Sequence, residues 1–170
     1  MMVGRDVLTE RRPRERETGP PKLEVEGLSV EGDRGREQVS DVDLTVHEGE
    51  ILGIAGVQGN GQTELVEAVT GLRSVSSGRV TFDGDDVTDT NRRQRIRAGI
   101  AYIPEDRQTE GLVQAYDLVR NALLGNQTVD RFVSRKFVDW PAVREHAADI
   151  VAEYDVQPPN AEARAGSLSG

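Results

Sequence analysis

Eight consecutive residues, Gly56-Val57-Gln58-Gly59-Asn60-Gly61-Gln62-Thr63, have the types and spacing of a loop that holds phosphate. Backbone N–H groups can converge on phosphate oxygens only where side chains are missing at the bends, and glycines stand at 56, 59 and 61. A helix beginning at residue 62 would add the positive partial charge of its N-terminus. The hydroxyl of Thr63 could then ligate Mg²⁺. Against the template G-x-x-x-x-G-K-[ST], Gly56, Gly61 and Thr63 fit, whereas the lysine position holds Gln62. A glutamine donates hydrogen bonds but cannot neutralise charge, and a charge-assisted bond is roughly twice as strong as a neutral one. The candidate phosphate site is therefore Gly56, Gln58, Gly59, Asn60, Gly61, Gln62, Thr63 and Glu64, with weakened binding and still weaker hydrolysis expected. Two other readings stay open on the loop alone. One is a dinucleotide fingerprint, which fails at Glu64, where the third glycine belongs. The other is a plain strand-to-helix turn without a ligand.

The elements that must position this loop are readable from periodicity. Ile51-Leu52-Gly53-Ile54-Ala55 is a short apolar run, the pattern of a strand buried on both faces. Leu65, Ala68, Val69 and Leu72 follow at helical spacing, with Gly71 at the stop. Upstream, Leu23 to Val30 reads as a strand, Gly32 to Gly35 as a turn, and Val42, Leu44 and Val46 alternate as in a half-buried strand. Downstream come a strand at Arg79–Phe82 turned by Asp83-Gly84-Asp85 and a basic helix over Thr90–Ala98 capped by Thr90. A buried strand follows at Ile100–Ile103. A helix is expected from Asp117 to Leu124. Another begins at the cap Asp139 with Pro141 in its first turn, and its stripe of Val143, Ala147, Ile150, Val151 and Tyr154 reads as core.

Composition narrows the function classes. The 170 residues suit one domain, and no apolar run is long enough to span a membrane as a helix. There is no cysteine, so disulfides, thiolate metal sites and cysteine nucleophiles are excluded. His47 and His146 are too far apart in sequence to suggest a metal cluster. The net charge of -9 argues against a nucleic-acid binder. Residues 1–22 carry net +2 and the remainder net -11, so the body is distinctly acidic. That acidity fits either an ordinary soluble surface or adaptation to a salt-rich cytoplasm. The start lacks the apolar stretch of a signal peptide and reads as a linker.

Several motifs in order resemble the ATPase subunits of ABC transporters. They are Leu23–Val30 and Val42–Glu50, the loop itself, Gly71-Leu72, Ser77–Gly84, Ile100–Pro104 and the final Ser167-Leu168-Ser169-Gly170, which is similar to the start of the LSGGQ signature. The resemblance covers about residues 22–170. Glu105 stands at the Q-loop position, within Tyr102-Ile-Pro-Glu-Asp-Arg107. Together with Gly59-Asn-Gly-Gln-Thr-Glu-Leu65 it resembles the C-terminal half of double-length importer ATPases for sugars and nucleosides.

The resemblance implies an α/β fold: a P-loop NTPase core of ABC type with an antiparallel β addition and a partial helical subdomain, truncated inside the signature. Residues 1–21 would be the tail of a preceding ATPase half, 22–112 the incomplete nucleotide-binding core, and 113–170 the helical subdomain. The implied ligands are ATP and Mg²⁺. Implied partners are the first ATPase half, transmembrane permease subunits and, indirectly, a substrate-binding protein, at the cytoplasmic face of the cell membrane. Glu105 would sense the γ-phosphate and touch the membrane subunit, or be a solvated loop acid. Ser169 and Gly170 would cap the site built on the other half. No catalytic residue is assignable, so the chain alone is expected to be inactive and, lacking central strands, poorly stable. No aromatic stands near Asp33 and Arg34, where the family stacks adenine. Alternatives are a nonhydrolytic nucleotide-binding clamp, or an unrelated P-loop kinase or GTPase.

Overall fold

The computed structural model describes residues 18–57, 59–127, 129–134 and 137–168. The expected linker over residues 1–21 thus lies mostly outside the described residues, as do Gln58, Ser169 and Gly170. The chain forms two compact units that divide between Arg92 and Arg93.

The first unit is built on strands β1 (Pro21–Glu31), β2 (Glu37–His47), β3 (Ser77–Phe82) and β4 (Asp85–Asp86) and helix α1 (Gln62–Thr70). The sheet order is β2-β1-β3-β4, and every pairing is antiparallel. β1 is central because its apolar residues can be covered while both edges are hydrogen-bonded. Val25 faces Leu44 on one side and Val80 on the other. Leu28, Val30 and Val80 are fully buried, each worth about 1.5–3 kcal/mol relative to exposure. β2 alternates as expected, with Val39 buried and Val42, Leu44 and Val46 half-buried. α1 packs on β1 and β2, burying Leu65 and Ala68. It stops at Gly71, whose left-handed φ of 75° lets its N–H reach back to the Glu67 and Ala68 carbonyls.

Two sequence expectations are corrected here. Ile51–Ala55 and Ile100–Ile103 are not strands; the first run is exposed throughout, with Ile51 96% exposed, and in the second Ile103 is 91% exposed while Ile100 and Tyr102 are half-buried. The physical reason is pairing. A strand buried on both faces must also satisfy its N–H and C=O groups along both edges. Among the described residues, no segment pairs with either run.

The second unit contains all but the first residue of helix α2 (Arg92–Ala98), helices α3 (Leu118–Leu123) and α4 (Trp140–Glu153), a π-type turn over Arg107–Gly111, the hairpin β5 (Val133–Ser134)–β6 (Phe137–Val138), and a short 3₁₀ turn at Ala165–Ser167. α2 begins two residues later than expected, and the Thr90 hydroxyl donates to the Val87 carbonyl. Arg95 is its buried residue, only 1% exposed, and desolvation lowers its pKa. Asp139 caps α4 as expected, accepting from Ala142 N (3.2 Å), and Asp117, expected as the first residue of its helix, is instead the cap of α3, accepting from Arg120 N (2.7 Å). The helices pack through Val119, Leu123, Val143 and Ala147 with Phe132. The expected α4 stripe holds for Val143, Ala147 and Val151, but Tyr154 is 70% exposed. The helix ends at Glu153, and Tyr154 is its C-cap, its N–H donating to the Ile150 carbonyl.

Candidate functional site

The approach to the loop is set by a turn at residues 48–50. The Glu50 carboxylate accepts from His47 N (2.7 Å) and sits 3.1 Å from His47 Nδ1, and the backbone bond chiefly holds its pKa below the usual carboxylate range. Past the exposed run 51–55, Asn60 N–H donates to the Val57 carbonyl at 3.1 Å, turning the chain. Gly61 then adopts φ 98° as the N-cap of α1, with no side-chain cap bond. It is obligatory on two counts. L-residues avoid that backbone region, and a Cβ there would lie 2.6 Å from the Gln38 carbonyl oxygen of β2. The first intrahelical bond runs from Leu65 N–H to Gly61 O, so the N–H groups of Gln62, Thr63 and Glu64 precede the ladder.

Gln62 does not simply point outward. A Cβ built on Gly56 would lie 1.6 Å from Gln62 Nε2 and 2.8 Å from its Cδ. The half-buried Gln62 side chain therefore folds back over Gly56, and glycine at 56 is what leaves room for it. Beside them, a cavity of about 280 Å³ opens between the loop and β2, lined by Gln38, Ser40, Asn60 and Gln62 with Val39 and Ile54 among its apolar walls. Sequence reading missed Gln38 and Ser40, because strand alternation marks them only as outward-facing polar residues.

These observations bear on whether a nucleoside triphosphate fits. Gly56, Gly59 and Gly61 alternate with the neutral donors Asn60 and Gln62 and the apolar Val57, and a helix of nine residues, with the acidic Glu64 in its first turn, begins there. A Cβ at Gly59 would meet open space, leaving the loop crest clear. Phosphate oxygens can be held by this donor set once the Gln62 amide swings off Gly56. Thr63 is exposed at the helix start, and its hydroxyl is available for Mg²⁺. No group of three acidic or histidine residues that could hold a metal exists among the described residues.

Around Asp33, the bonds run to Arg73. Asp33 accepts from Arg73 Nη2 at 2.8 Å, and the same guanidinium donates to Glu67 (2.7 Å) and to the Glu31 carbonyl (3.2 Å). These carboxylate bonds raise the Arg73 pKa. They pin the β1–β2 turn to the chain just after α1.

The other sequence-marked residues fall in the second unit. Glu105 is exposed. Next to it, Asp106 accepts from Gln108 N (2.8 Å) and Thr109 N (3.2 Å), opening the Arg107–Gly111 turn, and the bonds from Thr109 hold its pKa down. Ser167 ends the 3₁₀ turn and Leu168 follows it, and Ser167 Oγ donates to Arg164 O at 2.7 Å. A separate cavity of about 250 Å³ lies where α3 and α4 begin, lined by Asp117, Arg120, Trp140, Arg144 and Glu162. Its cations are matched, with Arg120 paired to Asp117 and Arg144 to Glu162.

The sequence profile of the ABC transporter family matches residues 39–170. The glucose import ATP-binding protein TsgD13 of Haloferax volcanii is 42% identical over the whole chain, and the guanosine import ATP-binding protein NupO of Bacillus subtilis is 38% identical. The chain spans 31% and 33% of the length of these relatives. Among solved structures, MJ1267, an ATP-binding cassette of an ABC transporter, superposes with a TM-score of 0.69 at 20% identity, over 89% of this chain and 60% of that one. The chain therefore belongs to the ABC transporter family and carries the mixed α/β fold of its ATP-binding cassettes.

Proposed function

We propose that this chain is the second nucleotide-binding domain of an importer ATPase that takes up a sugar or nucleoside. The observation that carries this reading is the Gly56–Thr63 loop opening α1, with Gln62 in place of a charged lysine. The names of TsgD13 and NupO, which speak of glucose and guanosine import, support the substrate class. In this role the loop N–H groups and the start of α1 hold the ATP phosphates. Mg²⁺, held by the Thr63 hydroxyl, would supply charge neutralisation at the phosphates. Gln62 releases Gly56 and donates one neutral hydrogen bond.

Ser167–Gly170 would face the nucleotide held by the first half of the same protein. Glu105 and its turn would meet the permease at the cytoplasmic membrane face. None of the described helices is long and apolar enough to cross a membrane, so attachment would be peripheral, through those subunits.

A second reading is favoured by one specific observation. Because Gln62 brings no charge to the phosphates, this site would bind ATP as a clamp while hydrolysis proceeds at the partner half. ATP titration monitored by amide resonances tests the shared part of both readings. Shifts centred on Gly56–Glu64, reproduced by tripolyphosphate, are expected. Saturation by ATP with those resonances unmoved would overturn the assignment.

A further inference from the structure

The second unit contains a connection that neither the loop nor the helical packing requires. The chain just after the Glu105 turn runs beside the chain just before Leu168, joined by backbone bonds. Gly166 N–H donates to Gln114 O (3.0 Å), Ala165 N–H to Tyr116 O (2.9 Å), Leu118 N–H to Ala163 O (3.1 Å) and Val119 N–H to Ala161 O (3.1 Å). Gln114 also reaches the other way, its Nε2 donating to the Gln108 carbonyl at 3.2 Å, inside the Arg107–Gly111 turn. One residue thus holds the turn with its side chain and the signature approach with its carbonyl. The contact is close: a Cβ on Gly166 would lie 3.2 Å from both Gln114 Cβ and Gln114 O. The Asn121 amide stiffens the hub, accepting from Val113 N (2.9 Å) and donating to Val113 O (3.1 Å) and Asp117 O (2.9 Å).

We infer that Gln114 is a positioning residue that ties the Glu105 turn to the segment presenting Ser167 and Leu168, so that the two move together. Its functional meaning rests on reading those segments as the Q-loop position and the signature. The connection itself stands on this geometry alone. A displacement of the turn, such as contact with a neighbouring subunit would produce, then reaches the signature through one side chain and one peptide. A helix rotation is not needed.

Hydrogen exchange on the protein, read on peptides covering 107–111 and 165–168, tests this. Gln114→Glu keeps the size and the carbonyl but loses the donor to Gln108. Exchange should quicken about five-fold, the worth of one net hydrogen bond, in both segments. Gln114→Lys, which restores a donor of similar reach, should return both toward wild type. Gly166→Ala should perturb the turn from the opposite side; should that variant fail to fold, the Gln114 pair decides alone. Acceleration confined to 107–111, or no acceleration in either segment, would overturn the inference. So would the same acceleration in Arg144→Gln, which breaks the nearby pair with Glu162 without touching Gln114. The readout needs no nucleotide, so it fails separately from the ATP titration that tests the functional reading.

Discussion

β1 and the run Ile51–Ala55 belong to the same unit, yet the run that is the more continuously apolar is the one left exposed. β1 is hydrogen-bonded along both edges and buries Val25, Leu28 and Val30. Ile51, Leu52 and Ile54 lie exposed and unpaired as strand. The difference is not hydrophobicity. It is the supply of neighbours, which β1 finds in β2 and β3 within about fifty residues of chain, and which the second run finds nowhere among the described residues.

Substitutions should break that comparison unequally. Leu28→Ala, at a fully buried position, should cost about 2–5 kcal/mol of the first unit's stability, read as a lowered denaturant midpoint. Gly61→Ala should cost about 1–2 kcal/mol from the left-handed backbone alone, more with its close approach to Gln38 O, and should weaken nucleotide binding. Ile51→Ser, at a site 96% exposed, should stay within about 0.5 kcal/mol while reducing self-association by light scattering. If Ile51→Ser destabilised as much as Leu28→Ala, the two runs would not differ as described.

The smallest effect is one of pH. The pKa of Asp106 is lowered in the folded state by the bonds from Thr109 and Gln108. Its contribution is therefore complete above the unfolded value of about 3.9 and is lost as pH falls through the lowered folded value. The Gln108 and Thr109 amides should keep their protection at pH 5 and lose it only in stronger acid. Asp106→Asn should flatten that dependence.

What was legible in the sequence was local. The cap Asp139, the stop at Gly71, the alternation of β2 and the glycine loop all state their chemistry within a few residues. The strands at 51–55 and 100–103 were not, because a buried strand is defined by partners that an apolar run does not name. Tyr154 has the right spacing, yet as the C-cap it is left 70% exposed. At the site, the residue types were readable and their poses were not. Gln62 was recognisable as a neutral replacement, but its return onto Gly56 follows from loop geometry. Gln114 carries no sequence signal at all, since bonds from a glutamine to distant peptides leave no pattern.

The central claim is that Gly56–Thr63 is a phosphate-binding loop whose affinity is limited by the neutral Gln62. Calorimetric titration of wild type and Gln62→Lys with Mg-ATP tests it most directly. Restoring the charge should tighten binding about ten-fold, in keeping with a charge-assisted bond replacing a neutral one. Unchanged affinity in Gln62→Lys, or the absence of binding in both proteins, would contradict it.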